Sequence, residues 1–324
     1  MITLNDLLEA QARLKGVAVH TPLVRYFGLG TGSGAADEEL YFKPESLQPI
    51  GSFKLRGAYN KIASLSAEER GRGVITYSSG NHAQGVAYAA RAMGAKAVIV
   101  MPRSSPKVKM DATAAFGAEI VKVGNGSDER REMALKLATE HGYVVIPPYD
   151  DPLIIAGQGT AGLEILEDLP DVELVLVPIG GGGLSSGVAA ALTLSESRAK
   201  VVGVEPALAN DAQQSLREGH VVAIAVEEAA STVADGLRTQ SIGATNFEHL
   251  TKYLDGIVTV SEDEIRLAMR QVITGARLMT EPSGAVTMAA WLFHRGELPA
   301  SRKTVAIISG GNADPKQIAE VLEG

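Results

Sequence analysis

The sequence predicts an α/β protein built on mostly parallel β-sheets. From about Val74 onward, short apolar runs alternate with helical patterns of roughly 10–15 residues, which is the arrangement of βαβ units. The segment 173–178 is apolar along almost its whole length, as in a strand that is buried on both faces of a parallel sheet. The 35 glycines supply the tight turns that join such strands and helices.

Composition limits the class of protein. With 324 residues, 45% of them hydrophobic, the chain exceeds the size at which a single core usually stops growing, so two domains are expected. The net charge of −8 argues against nucleic-acid binding, which needs a basic surface. The lack of cysteine excludes disulfides, thiolate metal sites and cysteine nucleophiles. Neither a signal peptide nor an apolar run of about 18 residues is present, so a soluble, cytoplasmic protein without a membrane partner is expected.

The first series of elements follows from the alternation of apolar and helical patterns. Gly94 and Gly117 each stand just past a helical pattern, and Pro102 stands at the end of an apolar run, so these residues mark where elements end. The predicted strands cover 73–77, 95–101, 119–123 and 143–146, and the predicted helices cover 82–93, 106–116 and 128–139.

A second series continues the pattern to the end of the sequence. Ser261 begins a helix and Glu264 follows three residues later, which is a capping box. The other predicted helices cover 159–169, 188–192 and the residues from about 314, and the predicted strands cover 173–178, 200–205 and 303–308. The glycine-rich segment 28–39 is expected to be an exposed loop.

Lys54 stands between glycines in the segment 51–57 (GSFKLRG). Such a lysine is either a solvated surface group or a group whose neutral amine bonds covalently to a carbonyl compound in a desolvated pocket. Phe53 is placed to provide apolar cover for the second alternative.

The segment 78–82 (SSGNH) directly follows a predicted strand and begins a helix. Backbone N–H groups are free at a helix N-terminus, and the helix dipole favours an anion there. The segment is therefore either a site for a substrate carboxylate, formed by Ser78, Ser79, Asn81 and His82, or an ordinary turn that caps the helix.

Four consecutive glycines, 180–183, separate a predicted buried strand from a helix. They expose backbone amides with almost no steric cover, which suits a phosphate group. The loop is not a P-loop, since Val188 stands where a lysine is required, and it does not contain a dinucleotide-binding fingerprint.

Ser309 begins a second glycine turn (SGGN) after the last strand. That turn either lies at the sheet edge where open α/β folds bind ligands or only ends the strand.

The segment 183–187 (GLSSG) also matches the nucleophile elbow of serine hydrolases, with Ser185 as the nucleophile. The match is imperfect, because several residues intervene between the strand and the serine. A catalytic histidine would also be needed, and His220, His249 and His294 are the downstream candidates. A serine hydrolase is therefore kept as an alternative function.

These segments occur together, in matching order and spacing, over nearly the whole chain. The series is HTPL at 20–23, ESLQ at 45–48, SFKLRG at 52–57, SSGNHAQ at 78–84, AGQGT at 156–160, GGGG at 180–183, VADGLR at 233–238 and SGGN at 309–312. Through this series the sequence resembles the fold-type II pyridoxal-phosphate (PLP) enzymes, which are tryptophan synthase β-like, and within them the serine/threonine dehydratase and serine racemase group. The resemblance implies two three-layer α/β/α domains with mostly parallel sheets. It assigns 1–47 and 146–324 to a large domain and 48–145 to a small one, with the active site in the cleft between them.

The resemblance also assigns roles to single residues. It makes Lys54 the residue that carries PLP and then takes the Cα proton of the substrate, and it places Phe53 beside the cofactor ring. Asn81 is implied to bond the 3′ oxygen of the cofactor, and Ser309 to be the partner of its pyridine nitrogen. The phosphate is implied to be held by Gly180, Gly181, Gly182, Gly183 and Leu184. A neutral hydroxyl at the ring nitrogen leaves a weaker electron sink than a charged partner, which suits rapid loss of a β-hydroxyl.

Two further features resemble the serine racemase-like subgroup. Ser79 stands where racemase-like members carry a second acid–base group, opposite the lysine, and stereoinversion requires one such group on each face. Glu205, Ala209 and Asp211 resemble a divalent-cation site made of two carboxylates and a backbone carbonyl. Hard oxygen ligands imply Mg²⁺, with Ca²⁺ or Mn²⁺ as alternatives. The other interpretation of these residues is a solvated loop with two acids.

The activity implied by the resemblance is PLP-dependent β-elimination of water from L-threonine or L-serine, which yields a 2-oxo acid and ammonia. Serine racemisation is expected as a side activity. Relatives also act on threo-3-hydroxyaspartate or phenylserine, and the sequence does not distinguish among these β-hydroxy amino acids. The resemblance further implies a homodimer.

Overall fold

The computed structural model describes residues 1–28, 38–78, 80–105, 107–124 and 127–323, which form two β-sheets flanked by helices. The strands are β1 (Val24–Tyr26), β2 (Glu39–Pro44), β3 (Val74–Thr76), β4 (Ala97–Pro102), β5 (Glu119–Val123), β6 (Val144–Val145), β7 (Leu174–Pro178), β8 (Lys200–Pro206), β9 (Gly256–Val260) and β10 (Lys303–Ile308). The helices are α1 (Leu4–Leu14), α2 (Lys54–Ala63), α3 (Ala67–Arg72), α4 (Asn81–Ala92), α5 (Lys107–Ala115), α6 (Ser127–His141), α7 (Pro152–Asp168), α8 (Gly183–Leu194), α9 (Asp211–Glu218), α10 (Val226–Ser231), α11 (Ala244–Tyr253), α12 (Glu262–Gly275), α13 (Pro282–Phe293) and α14 (Pro315–Glu323).

The larger sheet has six strands in the order β1-β2-β10-β7-β8-β9, and the smaller has four in the order β5-β4-β3-β6. All neighbouring strands run parallel except β1 and β2, which pair antiparallel. The prediction of an α/β fold with mostly parallel sheets is therefore confirmed.

Both faces of the six-stranded sheet are buried, and its side chains alternate between them. Leu174 and Leu176 of β7 belong to a core with residues of α12 and α13, whereas Val175 and Val177 belong to a core with residues of α1, α7 and α8. This period of two is the geometry of a strand, and it explains why 173–178 is apolar throughout.

The four-stranded sheet is covered in the same way. Ile99 of β4 packs in a core with residues of α2 and α4, while Val98 and Val100 pack in a core with Ala134 of α6. Each sheet thus lies between two layers of helix, as the family resemblance implied. The division into a large domain of 1–47 and 146–324 and a small domain of 48–145 stays a prediction.

The predicted elements agree with the observed ones in type and differ mainly at their ends. The strands 119–123 and 303–308 were predicted with their observed bounds, and the capping box of Ser261 and Glu264 is formed at the start of α12. The helix predicted over 159–169 is longer, because α7 begins at Pro152. There the Asp151 carboxylate accepts hydrogen bonds from the first turn, which caps the helix.

Two helices that matter for the site were not predicted. α2 begins at Lys54 without a side-chain cap, so no start signal precedes it in the sequence. α13 is buried along almost its whole length, and a helix that is apolar all round shows no 3.6-residue periodicity. Most of the loop predicted at 28–39 lies outside the described residues, because 29–37 are not described. In the part of the chain that is described, no helix has the length and apolar character to cross a membrane.

Candidate active site

A cavity of about 550 Å³ lies where strands of both sheets end. It is lined by the residues that follow β3, β7 and β10 and by the first residue of α2. Ligands of parallel α/β folds bind at this carboxyl edge of the sheet. The predicted site residues that line the cavity are Phe53, Lys54, Ser78, Asn81, His82, Gly180, Gly181, Gly182, Gly183, Leu184 and Ser309. Ser79 lies outside the described residues.

Lys54 is half-buried in this cavity, and its Nζ donates a hydrogen bond to the Pro148 carbonyl oxygen at 2.7 Å. The same Nζ lies 5.2 Å from the centre of the Phe53 ring. Burial lowers the pKa of Lys54 from 10.5 to about 8. Lys54 is therefore a cavity lysine whose neutral amine is accessible near physiological pH, and the solvated-surface alternative does not apply.

Backbone pairing holds Lys54 beside the turn after β10. The Phe53 N–H donates to the Ser309 carbonyl oxygen at 3.1 Å, and the Gly311 N–H donates to the Gly51 carbonyl oxygen at 2.9 Å. Ser309 itself is 3% exposed, and its hydroxyl makes one long contact of 3.4 Å to the Ser283 carbonyl oxygen. The serine hydroxyl thus remains available to a partner in the cavity.

The four glycines form the connection from β7 to α8, and side chains would not fit there. Gly182 has a φ of 93°, in the left-handed region. A Cβ at Gly181 would lie 2.1 Å from the Tyr149 ring, and one at Gly182 would lie 2.8 Å from Cβ of Asn246. The first N–H groups of α8 lack intrahelical acceptors, and the positive end of the helix dipole lies there. This loop is therefore suited to the phosphate of a cofactor.

The segment 78–82 leads from β3 into α4, so the predicted helix N-terminus is present. His82 is buried, and its Nε2 lies 3.0 Å from the Ile146 carbonyl oxygen, which can only accept. Burial, and then the charge of Lys54, lower the pKa of His82 to about 3. His82 is thus neutral, with its proton on Nε2, and its buried Nδ1 has no hydrogen-bond partner in the part of the chain that the structure describes.

Several cavity residues were missed by the sequence analysis. Glu281 precedes Pro282 at the start of α13, so its position could be noticed only once that helix was known. Arg130 and Arg131 lie in the charged run 128–132, which resembles an ordinary solvated helix face. Tyr149 had no signal, since its contact with the glycine loop joins distant parts of the sequence.

Glu205, Ala209 and Asp211 lie at the end of β8 and the start of α9, and none of them lines the cavity. Glu205 is fully buried and accepts hydrogen bonds from the Ala212 and Gln213 amides at 3.0 and 2.8 Å. Asp211 is also fully buried, and among the described residues neither of its carboxylate oxygens has a partner in good hydrogen-bonding geometry, although the Ile242 N–H and the Thr239 hydroxyl lie near enough to lower its pKa. These acids are therefore not the solvated loop residues of the second interpretation.

The environment of this pair disfavours two negative charges. Burial raises the pKa of Asp211 to about 7, and burial together with the Asp211 charge raises the pKa of Glu205 well above 4.5. In the described ranges, no group of three or more His, Cys, Asp or Glu side chains is arranged to hold a metal ion. Any cation here would have to use two carboxylates and backbone oxygen.

The serine hydrolase alternative is contradicted by the surroundings of Ser185. This residue lies inside α8 rather than on a sharp turn, is fully buried, and donates its hydroxyl to the Gly182 carbonyl oxygen at 3.1 Å. His220, His249 and His294 bond to other groups in the described structure. The elbow geometry fails because the glycine loop separates the strand from the serine.

Comparisons with known proteins agree with this arrangement. Residues 15–310 match the family described as pyridoxal-phosphate dependent enzyme. An L-threonine ammonia-lyase of Thermotoga maritima is 46% identical over 323 residues, which cover 99% of this chain and 78% of that protein. An L-threo-3-hydroxyaspartate ammonia-lyase of Saccharomyces cerevisiae is 40% identical, over 99% of this chain and 97% of that protein. A serine racemase structure from Dictyostelium discoideum superposes with a TM-score of 0.86 at 37% identity, over 97% of this chain and 99% of that one. The predicted fold-type II architecture is confirmed, and the chain belongs to the family of pyridoxal-phosphate dependent enzymes.

Proposed function

We propose that this enzyme eliminates water from L-threonine or L-serine and so forms a 2-oxo acid and ammonia. The observation that carries the proposal is the desolvated amine of Lys54 in one cavity with the glycine loop and the Ser309 hydroxyl. The similarity to an L-threonine ammonia-lyase and to a serine racemase supports this choice of substrate class.

The residues present in the cavity fit PLP. The amides of 180–184 would hold its phosphate, Lys54 would hold it covalently, and Ser309 would face its ring nitrogen. Asn81 would donate to its 3′ oxygen, with Phe53 beside the ring. When bound, PLP supplies the electron sink for bonds that break at Cα.

The protein's own groups then handle the substrate carboxylate and the Cα proton. The N-terminus of α4 would hold the carboxylate through the backbone N–H groups of its first residues, Asn81 and His82. Lys54 takes the Cα proton, because its lowered pKa of about 8 gives it a neutral fraction at physiological pH. His82 lies near Lys54 and stays neutral at physiological pH. Its imidazole therefore adds no positive charge that could draw the substrate carboxylate away from the helix N-terminus.

A proton NMR time course tests the proposal. Purified, PLP-supplied protein is incubated with L-serine and L-threonine in D₂O with Mg²⁺, and pyruvate and 2-oxobutanoate are expected to appear. Boiled protein provides the background. Unchanged spectra with both substrates would contradict the proposal and direct the assay to other β-hydroxy amino acids.

A second substrate, L-threo-3-hydroxyaspartate, is favoured by the cations near the cavity. Arg130 and Arg131, near the start of α6, both line it. Tyr77 and Tyr149 also line the cavity, and burial raises the pKa of each. The positive charge of Arg131 opposes both rises, so its electrostatic influence extends to the cavity wall. A second substrate carboxylate would gain from such a charge, and the yeast relative is named for this substrate.

Arg131→Gln is therefore expected to lower kcat/KM for L-threo-3-hydroxyaspartate about tenfold and to change kcat/KM for L-threonine little. The loss corresponds to one hydrogen bond to a charged group, about 1.5 kcal/mol. Steady-state kinetics on both substrates measure it, and Arg266→Gln on the surface of α12 is the matched control. Equal losses on both substrates would contradict a role for Arg131 in substrate choice.

Serine racemisation is proposed as a side activity that uses Ser79 as the second proton-transfer group. In D₂O, Ser79→Ala is expected to lose inversion at Cα of serine while much of the elimination survives, because Lys54 alone serves that reaction. Chiral chromatography of residual serine measures inversion, and release of pyruvate measures elimination. If inversion persists in the variant at the wild-type rate, Ser79 does not have this role.

A divalent cation is proposed at Glu205, Asp211 and the Ala209 carbonyl, with Mg²⁺ as the first candidate. The support is the Asp211 carboxylate, which is buried, has no well-formed hydrogen bond within the described ranges and lies near a second buried acid. Oxygen ligands of this kind suit Mg²⁺ or Ca²⁺. Such an ion would neutralise the two charges that burial otherwise disfavours.

Binding of the cation to the folded protein is expected to raise the free energy of unfolding by about 2.7 kcal/mol when its concentration is a hundredfold above Kd, and so to raise the thermal midpoint. EDTA should lower the midpoint of the wild-type protein and Mg²⁺ should restore it. Asp211→Asn should respond to neither, whereas Glu218→Gln, an exposed acid on the same helix, should respond as the wild type does. A wild-type midpoint that ignores EDTA, Mg²⁺ and Ca²⁺ would rule out the site.

The homodimer implied by the resemblance is retained as a proposal, and a cytoplasmic location stays a prediction. Sedimentation equilibrium at micromolar protein should give the mass of two chains. A mass of one chain would contradict the dimer.

A further inference from the structure

Glu281 is a buried carboxylate in the cavity with no role of its own in the proposed reaction. It is 3% exposed and is the residue before α13, yet its side chain forms no cap on that helix. Among the described residues its side chain accepts from Nδ2 of Asn81 at 2.7 Å and from the backbone N–H of Asn312, and no lysine, arginine or histidine forms an ion pair with it. Burial, and then the charge of Asp235, raise the pKa of Glu281 to about 7. A buried carboxylate without a cation is costly, so a specific use is expected.

A chain of hydrogen bonds fixes the orientation of the neighbouring Asn81 amide. Nδ2 of Asn312 donates to the Ile50 carbonyl oxygen at 2.8 Å, and because a carbonyl can only accept, the Asn312 amide has one orientation. The same nitrogen donates to Oδ1 of Asn81 at 2.9 Å. Asn81 must then turn its own Nδ2 to Glu281, whose Oε1 accepts at 2.7 Å.

The turn after β10 leaves room for this pair. A Cβ at Gly310 would lie 2.5 Å from Oε1 of Glu281 and 3.1 Å from Nδ2 of Asn81. Gly310 is not among the residues with positive φ, so backbone conformation does not require a glycine there. The Glu281 N–H also donates to the Gly310 carbonyl oxygen at 3.0 Å. The glycine is therefore explained by the Asn81–Glu281 contact.

An amide nitrogen carries two N–H groups, and Glu281 takes one of those of Asn81. The other is left to donate into the cavity that Asn81 lines. We propose that Glu281 is a positioning residue that aims this second N–H of Asn81 at the 3′ oxygen of PLP. The inference rests on the proposed function, because it requires PLP in this cavity.

Three variants separate the acceptor of Glu281 from its charge. Glu281→Ala removes the acceptor, Asn312→Ala removes the other partner of Asn81, and Glu281→Gln keeps an oxygen that can accept while removing the charge. The two alanine variants should each shift the visible absorption maximum of the PLP-loaded protein. They should also speed PLP release into cofactor-free buffer about tenfold, as expected for one charge-assisted hydrogen bond. Glu281→Gln should keep the wild-type maximum and release PLP within about twofold of the wild-type rate.

A double-mutant cycle with Asn81→Ala tests whether Glu281 acts through Asn81. If it does, Glu281→Ala adds no further increase in the release rate in the Asn81→Ala background. Additive effects, or a Glu281→Gln variant as impaired as Glu281→Ala, would overturn the inference. Near-ultraviolet circular dichroism of the PLP-free variants checks that each one folds. If the proposed function itself is wrong, the wild-type protein will lack the visible PLP band and form no 2-oxo acid. That result is distinct from a wild-type protein that is active while the Glu281 variants behave otherwise than expected.

Discussion

Lys54→Ala is expected to abolish the visible absorbance of the PLP-supplied protein and to lower elimination by at least about 10³-fold. The variant loses both the covalent attachment of the cofactor and the base for the Cα proton, and a positioned base alone contributes about 10²–10⁴-fold. Absorbance spectra and 2-oxo acid release measure the two effects. Lys252→Ala, an exposed lysine on α11, is the matched control and should behave as the wild type does. Full turnover in Lys54→Ala would falsify the proposed function.

The lowered pKa of Lys54 adds a pH dependence to this prediction. Covalent attachment needs the neutral amine, and burial places the pKa of Lys54 at about 8 rather than 10.5. The rate at which PLP attaches to the cofactor-free protein should therefore rise with pH up to about 8 and level off above it. Stopped-flow absorbance measures the rate. A rise that continues to pH 10 would show that Lys54 is not desolvated before the cofactor binds.

Glycines and short motifs made much of the site predictable from the sequence. Tyr149 and Asn246 occupy the space that side chains at Gly181 and Gly182 would need, and this close packing is visible in the sequence as part of a run of four glycines. The strands were predictable for a similar reason, since two-sided burial leaves an apolar run such as 173–178. Packing that restricts the residue type along a continuous segment therefore leaves a pattern that can be recognised in the sequence.

Contacts between distant single residues left no such pattern. Glu281 and Asn81 are separated by 200 positions, and a lone acid before a proline has no signal of its own. The Asp211 carboxylate could not be distinguished from a solvated acid in the sequence, because only the structure shows that it is buried. The resemblance to a family gave these regions a context, but the hydrogen bonds and the burial that define their chemistry required the structure.

Arg56 is the other residue from which we expect a large effect, because it lies at the centre of a buried ionic cluster. It is 1% exposed, and its guanidinium donates to Glu45 at 2.7 and 2.8 Å and to Glu164 at 2.7 and 2.8 Å. Lys43 is fully buried as well and pairs with Glu164 at 2.7 Å. In the buried part of the cluster two cations therefore balance two carboxylates, and the partly exposed Asp168 lies 4.0 Å from Lys43. Burial alone would raise the pKa of Glu45, but the charge of Arg56 holds it below 4.5.

Arg56→Met is expected to lower the free energy of unfolding by about 3–5 kcal/mol, because it leaves a buried carboxylate without its partner. Chemical denaturation followed by circular dichroism measures the loss, and the thermal midpoint should fall by on the order of 10 °C. Arg72→Met is the matched control, since its pair with Glu68 is exposed and contributes at most about 0.5 kcal/mol. If Arg56→Met and Arg72→Met lower the free energy of unfolding by similarly small amounts, the buried cluster does not contribute to stability as expected.

Arg56 belongs to α2, the helix that begins at Lys54, and the charge balance of the cluster can be tested by a second substitution. Adding Glu45→Gln to Arg56→Met restores charge balance, so the double variant should recover part of the lost stability. The folded-state pKa of Glu45 lies below its unfolded value, so its stabilisation is complete above about pH 4.5 and disappears as the pH falls through the folded-state pKa. The single variant lacks Arg56, so its loss relative to the wild type should shrink below that pH. A loss that is constant from pH 7 to pH 3 would mean that Arg56 stabilises α2 through packing alone.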